Sequence, residues 1–342
     1  MATLLEPDII PAWIAGLFET RHRSIFAGIN DDDCAILGWR SPYLVLTLDF
    51  LNADPIASEL GIGDMRDLGR LLVASNLADL CGSGARPVAL LVGLTLPHGT
   101  RLSDFQKLYR GIKFEAERHL VPVIGGDTKL GKSRAVMAVA IGSAKSAENL
   151  FLKGGAKPGD VIWVSGELGC TAAAAWGYRN AGLGRSWRSW ARRTILVPHV
   201  PLRMSQLVSA AKFGHGGTDI SDGLGADMRM ICEASRVGAI IEAGRIPTAL
   251  QVVRAAAIAG VAPWNFAFAS GGDFQFIVTT EQAVRQAMKR FGFVEIGEVT
   301  RRRRLVLRMP EGRVVPLPVR GHRDRSNFTF AQEIDALIRN EL

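Results

Sequence analysis

The chain has 342 residues, of which 48% are hydrophobic and 22% are charged, an ordinary balance for a globular protein long enough to form two domains. No apolar run reaches the length of a membrane span, so we expect no membrane partner. The formal net charge of +8 fits an anionic substrate, and it equally fits a solvated basic surface.

The first residues of the chain predict an amphipathic helix at IPAWIAGLFE. They lack the basic leader and the small-residue cleavage site of a secretory signal. The cysteines, Cys34, Cys81, Cys170 and Cys232, are widely separated and form no C-x-x-C pair. Reduced thiols are the simplest interpretation of this pattern, and we therefore expect a cytoplasmic protein.

Strands and helices alternate in the first half of the chain. Apolar runs predict strands over residues 43–51, 87–97, 121–127 and 134–144, and helical apolar spacing predicts helices over residues 63–84 and 102–120. Ser103 is expected to cap the second of these helices. A Gly- and Lys-rich stretch with a Pro-Gly turn signal, residues 146–160, then marks a boundary.

The alternation restarts after this boundary. Strands are predicted at DVIWVSG, VGAIIEA, FQFIVTT and FVEIGEVT, and helices over residues 169–182, at PLRMSQLVSAAKFG and over about 224–235. We therefore expect two α/β-type domains, residues 1–150 and 151–342. The sequence does not determine the order of the strands in either sheet.

Two basic tracts stand out, RSWRSWARR (185–193) and RRRR (301–304). The second precedes LVLRMPEGRVVPL, which predicts a hairpin with its turn at PEG. Its arginines are expected to flank a strand in solvent, so we expect no nucleic-acid partner. The first tract mixes Trp with Arg and leaves two interpretations open, a stacking surface or a mobile basic lid over a phosphate-bearing ligand.

The stretch TDISDGLGADM, residues 218–228, places Asp219, Asp222 and Asp227 close together beside Ser221. Like charges this close raise one another's pKa and repel. A fold tolerates such a cluster when a positive group lies among the carboxylates or when they point separately into water. For each aspartate alone a helix cap or a turn is the usual role, and Asp219 and Asp222 fit the cap of the following helix.

Four further acidic motifs fall at the ends of predicted apolar elements. They are NDDDCAIL with Asp31, Asp32 and Asp33, LTLDF with Thr47 and Asp49, NLADLCGSGA with Asp79, and IGGDTK with Asp127. Desolvating an unpaired carboxylate at such a place is costly. Mg²⁺ prefers oxygen ligands and is typically held by a few carboxylates together with phosphate oxygens. The acidic motifs together therefore favour a shared metal–phosphate site.

The stretch GDTKLGKS, residues 126–133, matches the pattern of a phosphate-binding P-loop. That loop binds phosphate because the N-terminus of a helix follows it. Here the following segment, RAVMAVAIG, predicts a strand, and Asp127 would repel phosphate from inside the loop. We therefore expect no P-loop.

In their order along the chain, DDCAIL, LTLDF, NLADLCGSGARP, IGGDTK, GGAKPGD, DISDGL and SGGDF resemble the motifs of the thiamine-monophosphate kinase family. This family lies within the superfamily of aminoimidazole ribonucleotide synthetase (PurM-like proteins), selenophosphate synthetase and the hydrogenase maturation protein HypE. The motifs span residues 32 to 274, most of the chain. The resemblance implies two α+β domains with mixed sheets flanked by helices, and ATP across a cleft with Mg²⁺ on its phosphates. It also implies a homodimer built by pairing the sheets of the first domains.

The resemblance implies roles for individual residues as well. The metal ligands would be Asp32 or Asp33, Thr47, Asp49, Asp79, Asp127, Asp219 and Asp222, with Asp49 and Asp222 as catalytic residues. The ATP contacts would come from Tyr109, Gly125, Gly126, Asp127, Lys153 and Ser221. Lys153 stands where the family usually has Arg. Lysine keeps the positive charge, but it cannot make the paired hydrogen bonds to phosphate that a guanidinium makes.

The substrate end departs from the family pattern. The opening GINDDD is longer than, or shifted from, the family's G-I-G-D-D, so Asp32 and Asp33 are interchangeable in role. The family's substrate-binding histidine is missing from DFLNADPIA, where the matching place is near Ile56, and Asn52 is the candidate substrate residue in this segment. The segment SGGDFQF offers only Asp273 where the family has a glutamate. We therefore expect ATP chemistry with a substrate site that has diverged from thiamine phosphate.

Three functions are compatible with these residues. The first, which we favour, is a Mg²⁺- and ATP-dependent phosphotransferase acting on a small anionic molecule. The second is an ATP-dependent synthetase or cyclo-ligase that activates an amide or carboxylate oxygen. The third is a non-catalytic nucleotide-binding module. The number of carboxylates argues against this function, because nucleotide binding alone needs fewer metal ions and so fewer carboxylate ligands.

Overall fold

The computed structural model describes residues 25–27, 35–37, 42–51, 56–179, 184–197, 199–269 and 272–318. These residues form two mixed β-sheets and ten α-helices, numbered below in chain order. The predicted first helix and the candidate site residues Asp32, Asp33 and Asn52 lie outside the described residues.

Six strands form the first sheet. They are β1 (Ile25–Ala27), β2 (Ala35–Leu37), β3 (Tyr43–Leu51), β4 (Arg86–Pro97), β5 (Val123–Gly131) and β6 (Ala135–Ala144), in the spatial order β1-β2-β3-β6-β4-β5. Neighbouring strands are antiparallel except β4 and β5. Parallel neighbours need a long crossover connection, and a helix supplies it here. This crossover places β5 at the edge of the sheet.

The helices α2 (Met65–Gly82) and α3 (Leu102–Arg118) cover one face of this sheet, and α3 is the crossover between β4 and β5. The short helix α1 (Ile56–Glu59) precedes them and packs in an apolar cluster with helices of the second half of the chain. The side chain of Asp64 begins α2 by accepting the backbone N–H groups of Arg66 and Asp67. The predicted cap at Ser103 is wrong. Leu102 is already helical, so Ser103 lies inside the first turn, and no side-chain hydrogen bond caps α3 at Arg101.

The opposite face of the first sheet carries apolar side chains that the described chain leaves exposed. Leu48 is 51% exposed and Phe50 is 56% exposed, both on β3. Leu48 lies in register with Val139 of β6, which in turn lies in register with Leu91 of β4. These three residues form an apolar row across the sheet. A contiguous exposed apolar face of this kind marks an interaction surface.

Seven strands form the second sheet. They are β7 (Val161–Val164), β8 (Gly217–Asp219), β9 (Gly238–Glu242), β10 (Phe276–Thr280), β11 (Val294–Thr300), β12 (Leu305–Arg308) and β13 (Val314–Pro316). Their spatial order is β13-β12-β9-β11-β7-β10-β8, and among these strands only β9 and β12 are parallel neighbours. The sheet is therefore mixed, like the first.

Helices also flank the second sheet. They are α4 (Cys170–Arg179), α5 (Gly184–Leu196), α6 (Leu202–Ala211), α7 (Leu224–Ser235), α8 (Leu250–Ala259), α9 (Asn265–Ala269) and α10 (Arg285–Arg290). The helix predicted over about 224–235 coincides with α7, and the basic tract at 185–193 lies within α5. Two mixed sheets flanked by helices confirm the predicted α+β architecture.

The helix α2 packs against both sheets. Leu72 and Leu77 of α2 are fully buried, and they belong to the same apolar cluster as Trp163 of β7 and Phe276 of β10. The backbone at the end of α2 also contacts β8. One helix therefore joins the packing of the first sheet to that of the second.

Two expectations about connecting segments are confirmed. The strands β12 and β13 pair antiparallel around a turn at residues 309–313, and Arg301 to Arg304 before them are all exposed. The segment after GDTKLGKS is the strand β6. Because no helix N-terminus follows the glycines, the P-loop pattern has no anion-binding geometry here.

The described cysteines, Cys81, Cys170 and Cys232, are free thiols. Burial raises the pKa of Cys232 to about 12, so this thiol is protonated at neutral pH. None of the described helices combines the length and the apolar composition needed to cross a membrane.

A buried carboxylate ties α2 to α3. Glu115 is fully buried, and its oxygens lie 3.0 Å from Arg70 Nε, 2.9 Å from Arg118 Nη1 and 3.3 Å from His119 Nε2. Burial alone would raise the pKa of Glu115, but His119 and the two guanidinium groups hold this pKa below its ordinary value.

We expect Glu115→Gln to lower the free energy of unfolding by about 3 kcal/mol at pH 7, because it leaves buried cations without their carboxylate. The folded-state pKa lies below the unfolded value, so this contribution is present above about pH 4.3 and disappears as the pH falls through the folded pKa. Urea unfolding at pH 7 and at about pH 3 measures both effects. Glu117→Gln, at an exposed pair with Lys113, is the matched control and should change little. Equal effects of the two substitutions would contradict the prediction.

Candidate functional site

Thr47 and Asp79 form the first contact between predicted ligands. Thr47 is buried in β3, and its hydroxyl donates a 2.6 Å hydrogen bond to Oδ2 of Asp79. Asp79 lies in the last turn of α2, where the helix dipole disfavours a carboxylate by about 0.3–1 kcal/mol. A hydrogen bond to a charged group contributes about 1.5–3 kcal/mol, which outweighs that repulsion. The contact therefore fixes the position of the Asp79 carboxylate.

The end of α2 meets the segment DISDG at Gly82. A methyl group on Gly82 would lie 2.3 Å from the amide nitrogen of Asp219, so only glycine permits this approach. Burial raises the pKa of the Cys81 thiol, and the charge of Asp219 raises it further. The last turn of α2, which carries Asp79, therefore lies against Asp219.

The segment DISDG presents two buried carboxylates. Asp219 ends β8 and Asp222 precedes α7, and both are buried, whereas Ser221 between them is exposed. The alternative role of these aspartates as helix caps is not observed, since the cap position is Gly223 and no side-chain hydrogen bond caps α7 there. Asp227 instead accepts the backbone N–H groups of Asp222 at 3.1 Å and of Gly223 at 3.0 Å. Asp227 thus holds the loop that carries the other two.

Asp49 lies on the same face of the first sheet as Thr47. The two residues are two positions apart in β3, and side chains at that spacing point to one side of a strand. Asp49 is half-buried and in register with Ala138 of β6, which is buried beneath the helices. Thr47, Asp49 and Asp79 therefore face the same layer between the sheet and α2.

Asp127 is placed differently. The hydroxyl of Tyr109, on α3, lies 2.9 Å from the hydroxyl of Thr128, so Thr128 faces the helices. Asp127 is exposed, and its Oδ2 lies 3.3 Å from Nζ of Lys129. Both residues alternate with Thr128 along β5, so their side chains point away from the helices. The strands β6 and β4 separate β5 from β3, a distance of about 14 Å at normal strand spacing. The structure does not bring Asp127 to Asp49.

The glycine directly before Asp127 is needed for packing. Gly126 has a φ of +152°, and a methyl group there would lie 1.9 Å from the carbonyl oxygen of Val92 on β4. The glycine therefore allows β5 to pair with β4 at this point. Gly125 is exposed beside it on the edge strand. The predicted contact of Gly125 and Gly126 with nucleotide phosphates stays a prediction.

Lys153 lies at the far end of α7 from DISDG. It is almost fully buried, and its carbonyl oxygen accepts a 2.7 Å hydrogen bond from the hydroxyl of Ser235, the last residue of α7. A helix of this length separates its two ends by about 16 Å. The backbone of Lys153 is therefore distant from Asp222, and its predicted contact with phosphate also stays a prediction.

The described residues contain no group of three Asp, Glu, His or Cys side chains placed to hold a metal ion by themselves. Thr47, Asp49, Asp79, Asp219 and Asp222 nevertheless supply a hydroxyl and carboxylate oxygens, the hard donors that Mg²⁺ prefers. Mg²⁺ usually takes one or two carboxylates and completes its shell with water and phosphate oxygens. This donor set fits Mg²⁺ that arrives with a nucleotide better than a site made by protein alone.

A cavity of about 310 Å³ lies at the start of α4. Its polar lining includes Ser165, Glu167, Thr194, His199, Asp273 and Gln275. Glu167 and His199 stand in none of the motifs that the sequence singled out, because the residues around them carry no recognisable spacing. The fold brings them together by placing the ends of β7 and α5 next to the start of β10.

Asp273 anchors the start of α4 from within this cavity. Its carboxylate accepts the backbone N–H groups of Gly169 at 2.6 Å and of Thr171 at 2.7 Å. Burial raises the pKa of Asp273 to about 6, although these hydrogen bonds act in the opposite direction. The structure gives Asp273 a supporting role, and its predicted contact with substrate stays a prediction.

The helix α5 turns its tryptophans inward and its arginines outward. Trp187 is buried against Gly177 of α4, and Trp190 packs beside it with ring centroids 4.9 Å apart. The exposed side chains of α5 include Arg185, Arg188, Arg192 and Arg193. Because the rings belong to the core, the structure does not support a stacking surface. Thr194, in the last turn of α5, lines the cavity, whereas the four arginines are not among its lining residues.

Comparison with known proteins places this architecture in a family. The family model for "AIR synthase related protein, N-terminal domain" matches residues 31–144, and the model for the C-terminal domain matches residues 157–310. The thiamine-monophosphate kinase of Mycobacterium tuberculosis is 33% identical over 247 residues, which cover 72% of each chain. This chain belongs to the AIR synthase related protein family and groups with its thiamine-monophosphate kinases.

Solved structures agree with this grouping. The thiamine-monophosphate kinase of Stenotrophomonas maltophilia is 27% identical, with a TM-score of 0.69 over 84% of this chain and 92% of that one. A structure described as AaThiL complexed with AMPPCP and TMP shares the fold, with a TM-score of 0.77 at 22% identity, over 94% of this chain and 100% of that one. The predicted resemblance, the two-domain PurM-like fold and the class of ATP-dependent kinase are confirmed.

We expect Asp273→Asn to change how stability depends on pH. Because the folded pKa is about 6 and the unfolded value about 3.9, the folded state binds this proton more tightly. The wild type should therefore lose about 3 kcal/mol from this group as the pH rises from about 4 to above 6, and the variant should not. Urea unfolding at several pH values measures the loss. Asp104→Asn on α3 is the control, and an unchanged pH profile in Asp273→Asn would contradict the assignment.

Proposed function

We propose that this chain is a Mg²⁺-dependent kinase that transfers the γ-phosphoryl group of ATP to a small anionic acceptor. The proposal rests on one arrangement, the buried Asp219 against the last turn of α2 with its Asp79, and the buried Asp222 three residues further along the chain. Neighbouring buried carboxylates are costly unless positive charge lies among them. A nucleotide that carries Mg²⁺ brings such charge and has phosphate oxygens to complete its coordination.

The residues of the chain itself contribute position and rigidity. Thr47 holds Asp79 by a hydrogen bond, Gly82 sets the end of α2 against Asp219, and Asp227 fixes the loop of Asp222. When bound, Mg²⁺ supplies charge neutralisation at the phosphate oxygens. Phosphoryl transfer depends mainly on positioning and electrostatic stabilisation, so these supports are what the reaction requires from the protein. Asp49, on the Thr47 face of β3, completes the proposed set of ligands.

We place the acceptor in the cavity at the start of α4. Glu167 offers a carboxylate and His199 an imidazole to a ligand in this cavity. The formal net charge of +8 raises the concentration of anionic ligands at the protein surface. An anionic acceptor therefore suits the site. Thiamine monophosphate, named for the family's kinases, is the first compound to test.

We expect Asp219→Asn and Asp222→Asn each to lower ATP-dependent phosphoryl transfer by on the order of a hundredfold, because each removes charge from the phosphate site. Transfer from labelled ATP to pooled phosphorylated metabolites, with thiamine monophosphate included, measures the change. Glu233→Gln removes an exposed carboxylate from the same helix that follows DISDG and serves as the matched control. Transfer that persists when Asp219 and Asp222 are replaced together would reject the proposed site.

A second function draws support from the description of the matching family. A synthetase related to AIR synthase would use the same ATP site to activate an amide or carboxylate oxygen. The products separate the two reactions. A kinase yields a phosphorylated acceptor, whereas a synthetase yields free phosphate together with a cyclised or dehydrated product.

We also propose that the chain forms a homodimer through the open face of the first sheet, within residues 1–150. The row of Leu48, Val139 and Leu91, with Phe50 beside it, supplies the apolar surface. Burying such a surface contributes about 25 cal/mol per Å² of apolar area. Two copies of this face meeting around a twofold axis would bury the same row twice.

Phe50→Glu is expected to shift the protein from dimer to monomer, because it places a charge within the apolar surface of the proposed interface. Sedimentation velocity at several protein concentrations measures the shift. Ile258→Glu changes an equally exposed apolar residue on α8 and should leave the dimer intact. A monomeric wild type, or a dimer that persists in Phe50→Glu, would overturn the proposed interface.

A further inference from the structure

The second sheet carries a cavity of about 490 Å³ that no part of the proposed kinase site uses. It is lined by Arg245, Arg285, Lys289, Phe293, Val294 and Glu295, hereafter the basic cavity. Three of these side chains are cationic and one is a carboxylate, so the lining has two positive charges in excess. Cavities of about 300–1,000 Å³ accommodate small molecules.

Glu295 arranges two of the cations. Its side chain is only 15% exposed, and its two oxygens lie 2.9 Å from Arg245 Nη1 and 3.0 Å from Arg285 Nε. Each guanidinium engages Glu295 through one nitrogen, and a guanidinium has five N–H donors in a fixed plane. The carboxylate thus orients two arginines from different elements towards the same space, which reduces the entropy they would lose on binding an anion.

Lys289 adds charge that Glu295 does not balance. It lies four residues after Arg285 on α10, so both side chains are on one face of that helix. The sequence of α10, RQAMKR, contains no acidic residue. Among the described residues, no carboxylate forms an ion pair with Lys289. The basic cavity therefore has an excess of positive charge that an anion would neutralise.

The basic cavity is separate from the aspartates of DISDG. Glu295 lies on β11, and the strands β7 and β10 stand between β11 and β8 in the sheet. The residues in register with Glu295 across these strands are Trp163 of β7, Val278 of β10 and Gly217 of β8. Three strand spacings, about 14 Å, therefore separate Glu295 from the strand that ends at Asp219. The basic cavity also shares no lining residue with the cavity at the start of α4.

We propose that the basic cavity is a second binding site and that it takes the phosphate group of a small phosphate monoester. Arg245 and Arg285 would donate to the phosphate oxygens in the paired geometry that guanidinium groups favour, with Lys289 as a third donor. Phe293 and Val294 also line the cavity, and their apolar atoms there would contact the organic part of the ligand. The cavity volume exceeds what inorganic phosphate alone would fill, which favours an ester.

Isothermal titration calorimetry with glycerol 3-phosphate and with inorganic phosphate tests this site in the full chain. We expect the monoester to bind more tightly than phosphate, and Lys289→Gln and Arg285→Gln each to weaken its binding by on the order of tenfold. Arg290→Gln removes the same charge from the same helix outside the cavity lining, and it should leave the affinity unchanged. Lys289→Gln leaves the contacts of Glu295 intact, so it separates ligand binding from folding.

Three outcomes would overturn the proposal. In the first, the wild type does not bind the monoester at millimolar concentration. In the second, Arg290→Gln and Lys289→Gln weaken monoester binding equally. In the third, inorganic phosphate binds as tightly as the monoester. The second outcome would mean that net charge alone attracts the anion. ATP-dependent phosphoryl transfer is measured in a separate assay. Absence of monoester binding would therefore not reject the proposed kinase reaction, and absence of phosphoryl transfer would not reject the second binding site.

Discussion

The burial of Asp219 against the end of α2, with Asp222 buried close after it in the chain, is the constraint on which the rest of the site depends. Carboxylates in such a place raise the free energy of the folded state unless cations and hydrogen bonds compensate. The chain also fixes where they lie, through the close approach of Gly82 to Asp219 and the hydrogen bonds from the backbone of Asp222 and Gly223 to Asp227. Groups held this firmly suit phosphoryl transfer, in which position and charge do most of the catalysis.

The helix α2 explains why this site is rigid. Its apolar face packs in a core shared by both sheets, and its last turn carries Asp79 to the place where β8 ends. Most of the ligands therefore stand on strands and helices fixed by the main core, which limits their movement to what the core allows. Asp222 stands on a short loop that Asp227 holds. A substitution that disturbs α2 would affect stability and the proposed nucleotide site together.

Positive charge lines the basic cavity through Arg245, Arg285 and Lys289. The cavity at the start of α4 is different, because its lining holds the carboxylates of Glu167 and Asp273 and the imidazole of His199. Asp273 is already occupied there, since it accepts the backbone N–H groups at the start of α4. Glu167 and His199 are therefore the charged and polar groups through which we expect this cavity to hold an acceptor.

The sequence alone determined most of the elements and the identity of the buried aspartates, because apolar periodicity and turn residues act locally. It predicted α7, the hairpin of β12 and β13, and the strand that excludes a P-loop. It placed the cap of α3 wrongly, since a cap depends on the exact start of a helix. Only the tertiary structure decided the strand orders, the contact of Thr47 with Asp79 across 32 residues, and the outward position of Asp127. Those depend on packing between segments far apart in the chain, which local patterns do not encode.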